Sequence, residues 1–504
     1  MRKGSLCMIK KINISYWKKY AFFVICLLLA YIQFMNPYIT CDHIGQALFQ
    51  TKAEFPGKEQ IIACFSGGRY GNILFYICYY ILGIFNVSHY QNMYVLQILG
   101  ILINGFSCMI LYNLFEGFFA EKYYKNGLIA VILICFINPF MVETYLYGSF
   151  DWAVGILFAI MAVKFLIQKK FFSGFLMAFL AVSIYQTNIF ISIVILLMKL
   201  FFQDRSYKKI KFYLDALLSG GICVGSAVLN VIIFKMFAKA GGEINETKNP
   251  HVVSNYLNLL KDIVGQAKSV YVSMFSIYPL RFVPVFIAVI CICIAIFLVI
   301  RKKIYEAILW IALTIILFLT PFSYMLAAGN TWYAQRTLLS VFFSVGMFFI
   351  GCLYLSKENY GFRKIFGVAI GFFLFLTFYY TETLITDCYI GQALDYNEVI
   401  CIEDEIQEYE EKTGFQVDTV SWYKTKDMEY VHPLLKIQDG NICSHRIICD
   451  AGDYLLNYVN QKNYKLLWMT DEEYKKYFND QEWDVFNPSE QLHFEKNILY
   501  WAVY

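Results

Sequence analysis

Five short stretches of this chain carry side chains suited to binding and activating a charged, hydroxyl-rich ligand. They are Cys41-Asp42-His43, Gly67-Gly68-Arg69-Tyr70-Gly71-Asn72, the run from Asn138-Pro139 through Glu143, Tyr145, Tyr147, Ser149, Asp151 and Trp152, then Tyr185-Gln186-Thr187-Asn188, and Asn330 to Arg336. A carboxylate such as Asp42, at the edge of an apolar region, can act as the general base that removes a proton from an attacking hydroxyl. Arg69 and Arg336 have the planar fork that grips phosphate through parallel charge-assisted hydrogen bonds. Glu143 and Asp151 offer a second acid or an acceptor-binding group. Tyr70, Tyr185 and Trp332 present flat faces for a sugar ring, with Gln186 as a polar neighbour. Each also has an ordinary reading: a loop carboxylate capping a helix, an arginine reaching to lipid headgroups, aromatic residues of a membrane-interface belt. A ligand joining sugar, phosphate and lipid would use all three residue types at once.

The elements that must hold these residues are apolar. The chain has 504 residues, 59% hydrophobic and 16% charged, far below the roughly 25% charged of soluble domains. A water-soluble domain and a disordered chain are both excluded. Eleven runs approach the length needed to cross a hydrocarbon layer of about 30 Å: 20–39, 93–115, 126–140, 150–167, 171–187, 188–202, 212–238, 283–300, 304–326, 334–355 and 364–386. The first lacks a small-residue cleavage site and reads as a retained transmembrane helix. With the N-terminus inside, 22 of the 32 Lys and Arg before residue 387 fall in cytoplasmic loops, as the positive-inside rule requires. The expected fold is therefore an all-α polytopic membrane protein with about 11 TM helices, N-terminus inside and C-terminus outside. The apolar run Ile73 to Phe85 is too short to cross and is expected to lie in, or re-enter, the outer leaflet. The outer loops then cover 40–92 and 240–282, the second with an amphipathic helix around Val253 to Val264. All five polar stretches fall on the outer side.

Charge divides the chain near residue 386: residues 1–386 hold 32 Lys/Arg against 15 Asp/Glu, and 387–504 hold 10 against 23. We expect a membrane body (1–386) and a small extracytoplasmic α/β domain (387–504). In the latter, Ile402 to Thr413 reads as a helix stopped by Gly414, Phe415 to Trp422 and Leu466 to Met469 as strands, Asp471 to Phe478 as a helix, and His493 to Tyr504 as one or two strands. Cys41 with Cys64 and Cys443 with Cys449 are spaced to bridge, free thiols being the alternative. The histidines show no metal-ligand spacing, and no Walker, Rossmann or HExxH pattern occurs. Nucleic-acid binding is not expected, and a divalent cation held by Asp42 and Glu143 is the one metal site the sequence leaves open.

Asp42 just after the first helix, Gly68-Arg69-Tyr70, Asn138-Pro139, Tyr185-Gln186 and Gln335-Arg336-Thr337 together resemble the type-II (Gtr-type) glucosyltransferases of bacterial O-antigen modification, over residues 15–390. The chain differs in Cys41, where a second acid is common, and His43, where an aromatic is common. The resemblance implies a GT-C-like membrane glycosyltransferase that takes a hexose, glucose above all, from an undecaprenyl-phosphate-linked sugar donor to a cell-surface polysaccharide acceptor. It also implies a donor synthase and a flippase as partners in the bilayer. Asp42 would be the base, with Arg69 and Arg336 on the phosphate. A transporter or flippase for lipid-linked saccharides, expected to place polar residues at the bilayer midplane or to show repeated halves, and a glycan polymerase, expected to carry arginines in two large outer loops, are the alternatives.

Overall fold

The computed structural model describes residues 14–35, 58–84, 89–119, 121–146, 150–203, 210–239, 256–271, 283–324, 335–356, 359–424, 448–481, 483 and 485–503. Asp42 and Trp332, with Cys41, His43, Tyr147 and Ser149, lie outside the described residues, as does most of the stretch preceding Arg336.

The protein is a helical membrane protein with a small C-terminal sheet. Among the described residues six helical segments are long and apolar enough to cross a bilayer: Tyr16–Met35, Val95–Glu116, Phe150–Ile167, Tyr213–Phe237, Ile304–Ser323 and Gly361–Thr413. A bent pair, Tyr123–Phe136 with Pro139–Leu146 at 51°, makes a seventh if it is one span. Phe171–Ile184, Asn188–Phe202, Pro284–Ile300 and Ser340–Leu355 are shorter apolar helices. Each of the eleven apolar runs overlaps one of these elements, of which six, or seven with the bent pair, reach spanning length among the described residues.

We number the helices α1 (Ile14–Tyr31), α2 (Lys58–Ser66), α3 (Ile73–Ile84), α4 (His89–Glu116), α5 (Lys122–Phe136), α6 (Pro139–Leu146), α7 (Phe150–Ile167), α8 (Phe171–Ile184), α9 (Asn188–Gln203) and α10 (Ile210–Lys239). There follow α11 (Tyr256–Ser269), α12 (Val283–Ile300), α13 (Ile304–Leu319), α14 (Ser340–Leu355) and α15 (Tyr360–Thr413). The short α3 and the amphipathic α11 fall where the sequence places them. The helices of the body share one large apolar core, in which α7 packs against α4, α8 and α9, and α14 against α5 and α9.

The bend between α5 and α6 has a local cause. Pro139 has no N–H to continue the ladder and suits the first position of a new helix. Asn138 satisfies both broken ends: its Nδ2 donates to the carbonyls of Ile134 (3.2 Å) and Cys135 (3.0 Å), and its Oδ1 accepts from the Met141 amide (3.1 Å). This double cap matters because every residue of α6 is buried, where an unpaired backbone group is costly.

The C-terminal sheet comprises β1 (Thr419–Lys424), β2 (Lys465–Trp468), β3 (Leu492–Glu495) and β4 (Ile498–Val503), in the order β2-β1-β4-β3. β1 runs parallel to both neighbours and β3 antiparallel to β4. Between β1 and β2 the chain forms α16 (Ile448–Asn460), the crossover that parallel strands require. Val420, Trp422, Leu499 and Trp501 meet Ile402 and Ile406 of α15 and Leu455 and Leu456 of α16 on one face. On the other, Tyr500 and Ala502 meet Tyr474 and Phe478 of α17 (Asp471–Phe478). Thr470 and Glu473 cap α17 reciprocally. Asp453 on α16 is buried, and burial pushes its carboxyl above the usual range. The folded state therefore disfavours the carboxylate, so its stability falls as pH rises from the unfolded carboxyl's pKa. Asp453→Asn keeps the bond from the Tyr454 amide and should raise Tm at pH 7 with little effect at pH 3, as thermal melts at the two values would show.

The division expected at residue 386 falls within one unbroken helix. α15 has 54 residues and ends at Gly414, whose φ of 74° is the left-handed conformation of a helix cap. Its residues through Cys388 belong to the body core, and those from Val399 to the domain core. Thr377, Thr381, Leu384, Cys388, Gln392, Asp395, Val399, Ile402 and Ile406 are all buried. Their steps of three and four form one straight stripe on a 3.6-residue helix.

Candidate active site

The turn between α2 and α3 is built around two glycines. Gly68 has φ of 64°, a conformation that L side chains rarely adopt. The Arg69 amide donates to Cys64 O (2.8 Å) and the Asn72 amide to Arg69 O (2.9 Å). Side chains from the α8–α9 turn and from α10 hold this turn: Gln186 Nε2 donates to Gly67 O (2.7 Å), and Asn230 Nδ2 of α10 to Gly68 O (3.2 Å). A Cβ at Gly71 would sit 2.6 Å from Ser183 Oγ and 2.9 Å from Ser183 O. Gly71→Ala should therefore force the turn off α8. Gly68→Ala adds backbone strain of about 1–2 kcal/mol to a 2.9 Å approach of Gln186 Nε2. Both variants should melt several degrees below wild type in detergent, Gly71→Ala the lower because backbone cannot give way. An unchanged Tm for both would sink this account.

Held this way, Arg69 lies over the ring of Tyr185, its Cζ 4.4 Å from the centroid. Trp152 packs on the same tyrosine, centroids 4.1 Å apart. Asp151, on the first turn of α7, is an electrostatic neighbour of Arg69, and its Oδ1 accepts from the Trp152 amide (2.9 Å). Tyr185 also interacts with Arg336 and Glu143. Glu143 is 4% exposed. One of its oxygens accepts from the Arg336 amide (2.7 Å) and the other is paired with the Arg336 guanidinium.

The α5–α6 bend and its surroundings fix Glu143. Tyr31 of α1 stacks on Tyr145 at 4.0 Å and donates to Phe136 O (2.8 Å). Asn104 Nδ2 donates to Tyr145 Oη (3.1 Å), and Gln97 Nε2 to Tyr145 O (3.2 Å). These bonds from α1 and α4 leave α6 little freedom to rotate, so the carboxylate has one direction to point.

The structure thus brings Arg69, Glu143, Asp151, Tyr185 and Arg336 together from positions 69 to 336 in the sequence. It gives Gln186 a backbone-holding role, and packs the half-buried Tyr70 ring beside Phe65 (5.7 Å) and Phe179 (5.9 Å). Asn230 and Asn104 belong to none of the five polar stretches, although an amide in an otherwise apolar helix is itself a signal. The same holds for Asp387, Asp395 and Glu398 of α15, all buried, which composition alone assigns to a solvated tail. Of the two bridges that the spacing allows, Cys41–Cys64 is not formed: Cys64 is a buried free thiol, the alternative reading. Cys443 is not described and the Cys449 side chain likewise. Among the described residues no group of three or more His, Cys, Asp and Glu stands together to hold a metal ion.

Chemically, the site contains one arginine neutralised by its own carboxylate and one resting on an aromatic face. Arg69 Nε is buried and has no hydrogen-bond partner among the described residues. A buried guanidinium donor left open calls for an anionic acceptor. No protein family, curated protein or solved structure matches this chain.

Proposed function

We propose that this protein is a membrane glycosyltransferase that moves a hexose from a polyprenyl-phosphate donor to a hydroxyl of a cell-surface polysaccharide. The observation that carries the reading is the gathering of two arginines, two acids and stacked aromatics where membrane helices end, with the buried Nε of Arg69 unpartnered among the described residues. A phosphodiester suits it: with Arg336 neutralised by Glu143, the cluster offers charge for a single phosphate rather than for a pyrophosphate. In this reading eleven helices cross with the N-terminus inside, and the site opens on the outer face beside the C-terminal domain. The arginine-poor loops near Arg69 and Arg336 support that orientation. Asp42 takes the proton from the acceptor hydroxyl, the hydroxyl oxygen attacks the anomeric carbon, and the bond to phosphate breaks with its electron pair on the phosphate. Arg69 stabilises that developing charge. Arg336 joins it as Glu143 yields one of its bonds. Phosphate is a good leaving group, so no protonating acid is required. The donor arrives from a separate synthase and flippase.

The test is release of undecaprenyl phosphate by protein in nanodiscs given undecaprenyl-phosphate glucose and cell-wall glycan. Acceptor-dependent release, abolished by Asp42→Ala without loss of folded protein, is expected. No release from any hexose donor would end this reading. The bent α5–α6 pair favours one rival, since broken helices also form the substrate sites of transporters. That rival predicts movement of lipid-linked saccharide between leaflets of sealed vesicles without release of free lipid phosphate.

A further inference from the structure

α15 connects the candidate site to the C-terminal domain without a break. α6 packs against α15, and Glu143 is an electrostatic neighbour of Cys388. Cys388 is also the last α15 residue of the buried body core, and Val399 the first of the domain core. Between them the helix rises about 16 Å at about 1.5 Å per residue. The buried stripe passes through this interval without a phase slip, so one face of one helix packs first on the body and then on the domain. In this interval the stripe carries Gln392 and Asp395, with Asp387 and Glu398 beside it, all buried. The helix is thus packed on one side along the interval where a hinge would need freedom. The domain therefore follows on the end of α15 that packs near α6, the helix that carries Glu143.

Resting on the glycosyltransferase reading, we propose that the C-terminal domain is the acceptor-presenting element. α15 is then a fixed spacer that sets the acceptor polysaccharide's hydroxyl at the level of the donor's anomeric carbon. A spacer of this kind selects an acceptor by the position of its hydroxyl along the polymer, because neither the domain nor the donor site can move to meet it. Phosphate binding belongs to the body alone. Disturbing the spacer should therefore separate donor binding from transfer.

The experiment uses the full chain in nanodiscs, with spin labels introduced through encoded non-cysteine handles at Lys261 on α11 and Glu472 on α17, both exposed. Wild type should give a single narrow distance population. Ala393 is exposed on α15, so Ala393→Pro bends the helix between the two cores without removing a buried side chain. It should shift the distance and lower acceptor-dependent release at least tenfold while leaving undecaprenyl phosphate binding unchanged. The milder Ala393→Gly/Asn397→Gly pair, also at exposed positions, should broaden the distribution and lower release less. A wild-type distribution spread over tens of ångströms overturns the spacer. Full release by Ala393→Pro with a shifted distance overturns the acceptor role. Absence of release in wild type, with a narrow distance, removes the transferase reading and the acceptor role with it, and leaves the spacer standing.

Discussion

Arg69→Met should bind undecaprenyl phosphate two to three orders of magnitude more weakly than wild type, about 3–4 kcal/mol for a buried charge-assisted contact. Arg69 lies on Tyr185 and beside Asp151, with its Nε unpartnered among the described residues, so removing it costs the ligand its main partner and costs the fold an aromatic contact and the cation near Asp151. Arg69→Lys should recover little, because an ammonium retains the charge but not the planar fork that lies on the ring and grips two oxygens. Titration of nanodisc-embedded protein with labelled lipid phosphate, beside a Tm for each variant, would decide it. Equal affinity in wild type and Arg69→Met would remove Arg69 from the phosphate site.

The second large effect is expected at Glu143. Glu143→Ala strands the Arg336 guanidinium, and breaking a buried pair from one side costs about 3–5 kcal/mol. The variant should express poorly and melt well below wild type. The double variant Glu143→Leu/Arg336→Met replaces both charges by apolar side chains of similar size and should regain much of that stability, yet remain inactive in transfer. Stability regained without activity separates the pair's role at the site from its role in the fold. A double variant as unstable as Glu143→Ala would show that other partners of these residues dominate.

The sequence makes most of this fold legible. α3, α11 and α17 follow from run length and periodicity, and Gly414 follows from glycine's fitness for a left-handed cap. What hid was the continuity of α15. Charge composition changes sharply near residue 386, but a helix answers to local backbone bonding and to one buried stripe, and that stripe runs on through Gln392 and Asp395. The site is similarly mixed. Arg69, Glu143, Asp151, Tyr185 and Arg336 stand out as polar residues in an apolar chain, and the structure gathers them. The partnership of Glu143 with Arg336 was not legible, since nothing local in a sequence pairs residues so far apart. The same is true of Gln186, whose target is a backbone carbonyl and leaves no trace in residue types.

That pairing has a consequence for how the protein is made. Glu143 and Arg336 are 193 positions apart, so at about 5–20 residues per second of synthesis roughly 10–40 s pass between them. For that interval α6 carries a carboxyl group whose arginine has not yet left the ribosome. An unpaired carboxyl in an apolar setting holds its proton, so the acid of the nascent helix pair enters neutral and ionises only when Arg336 arrives.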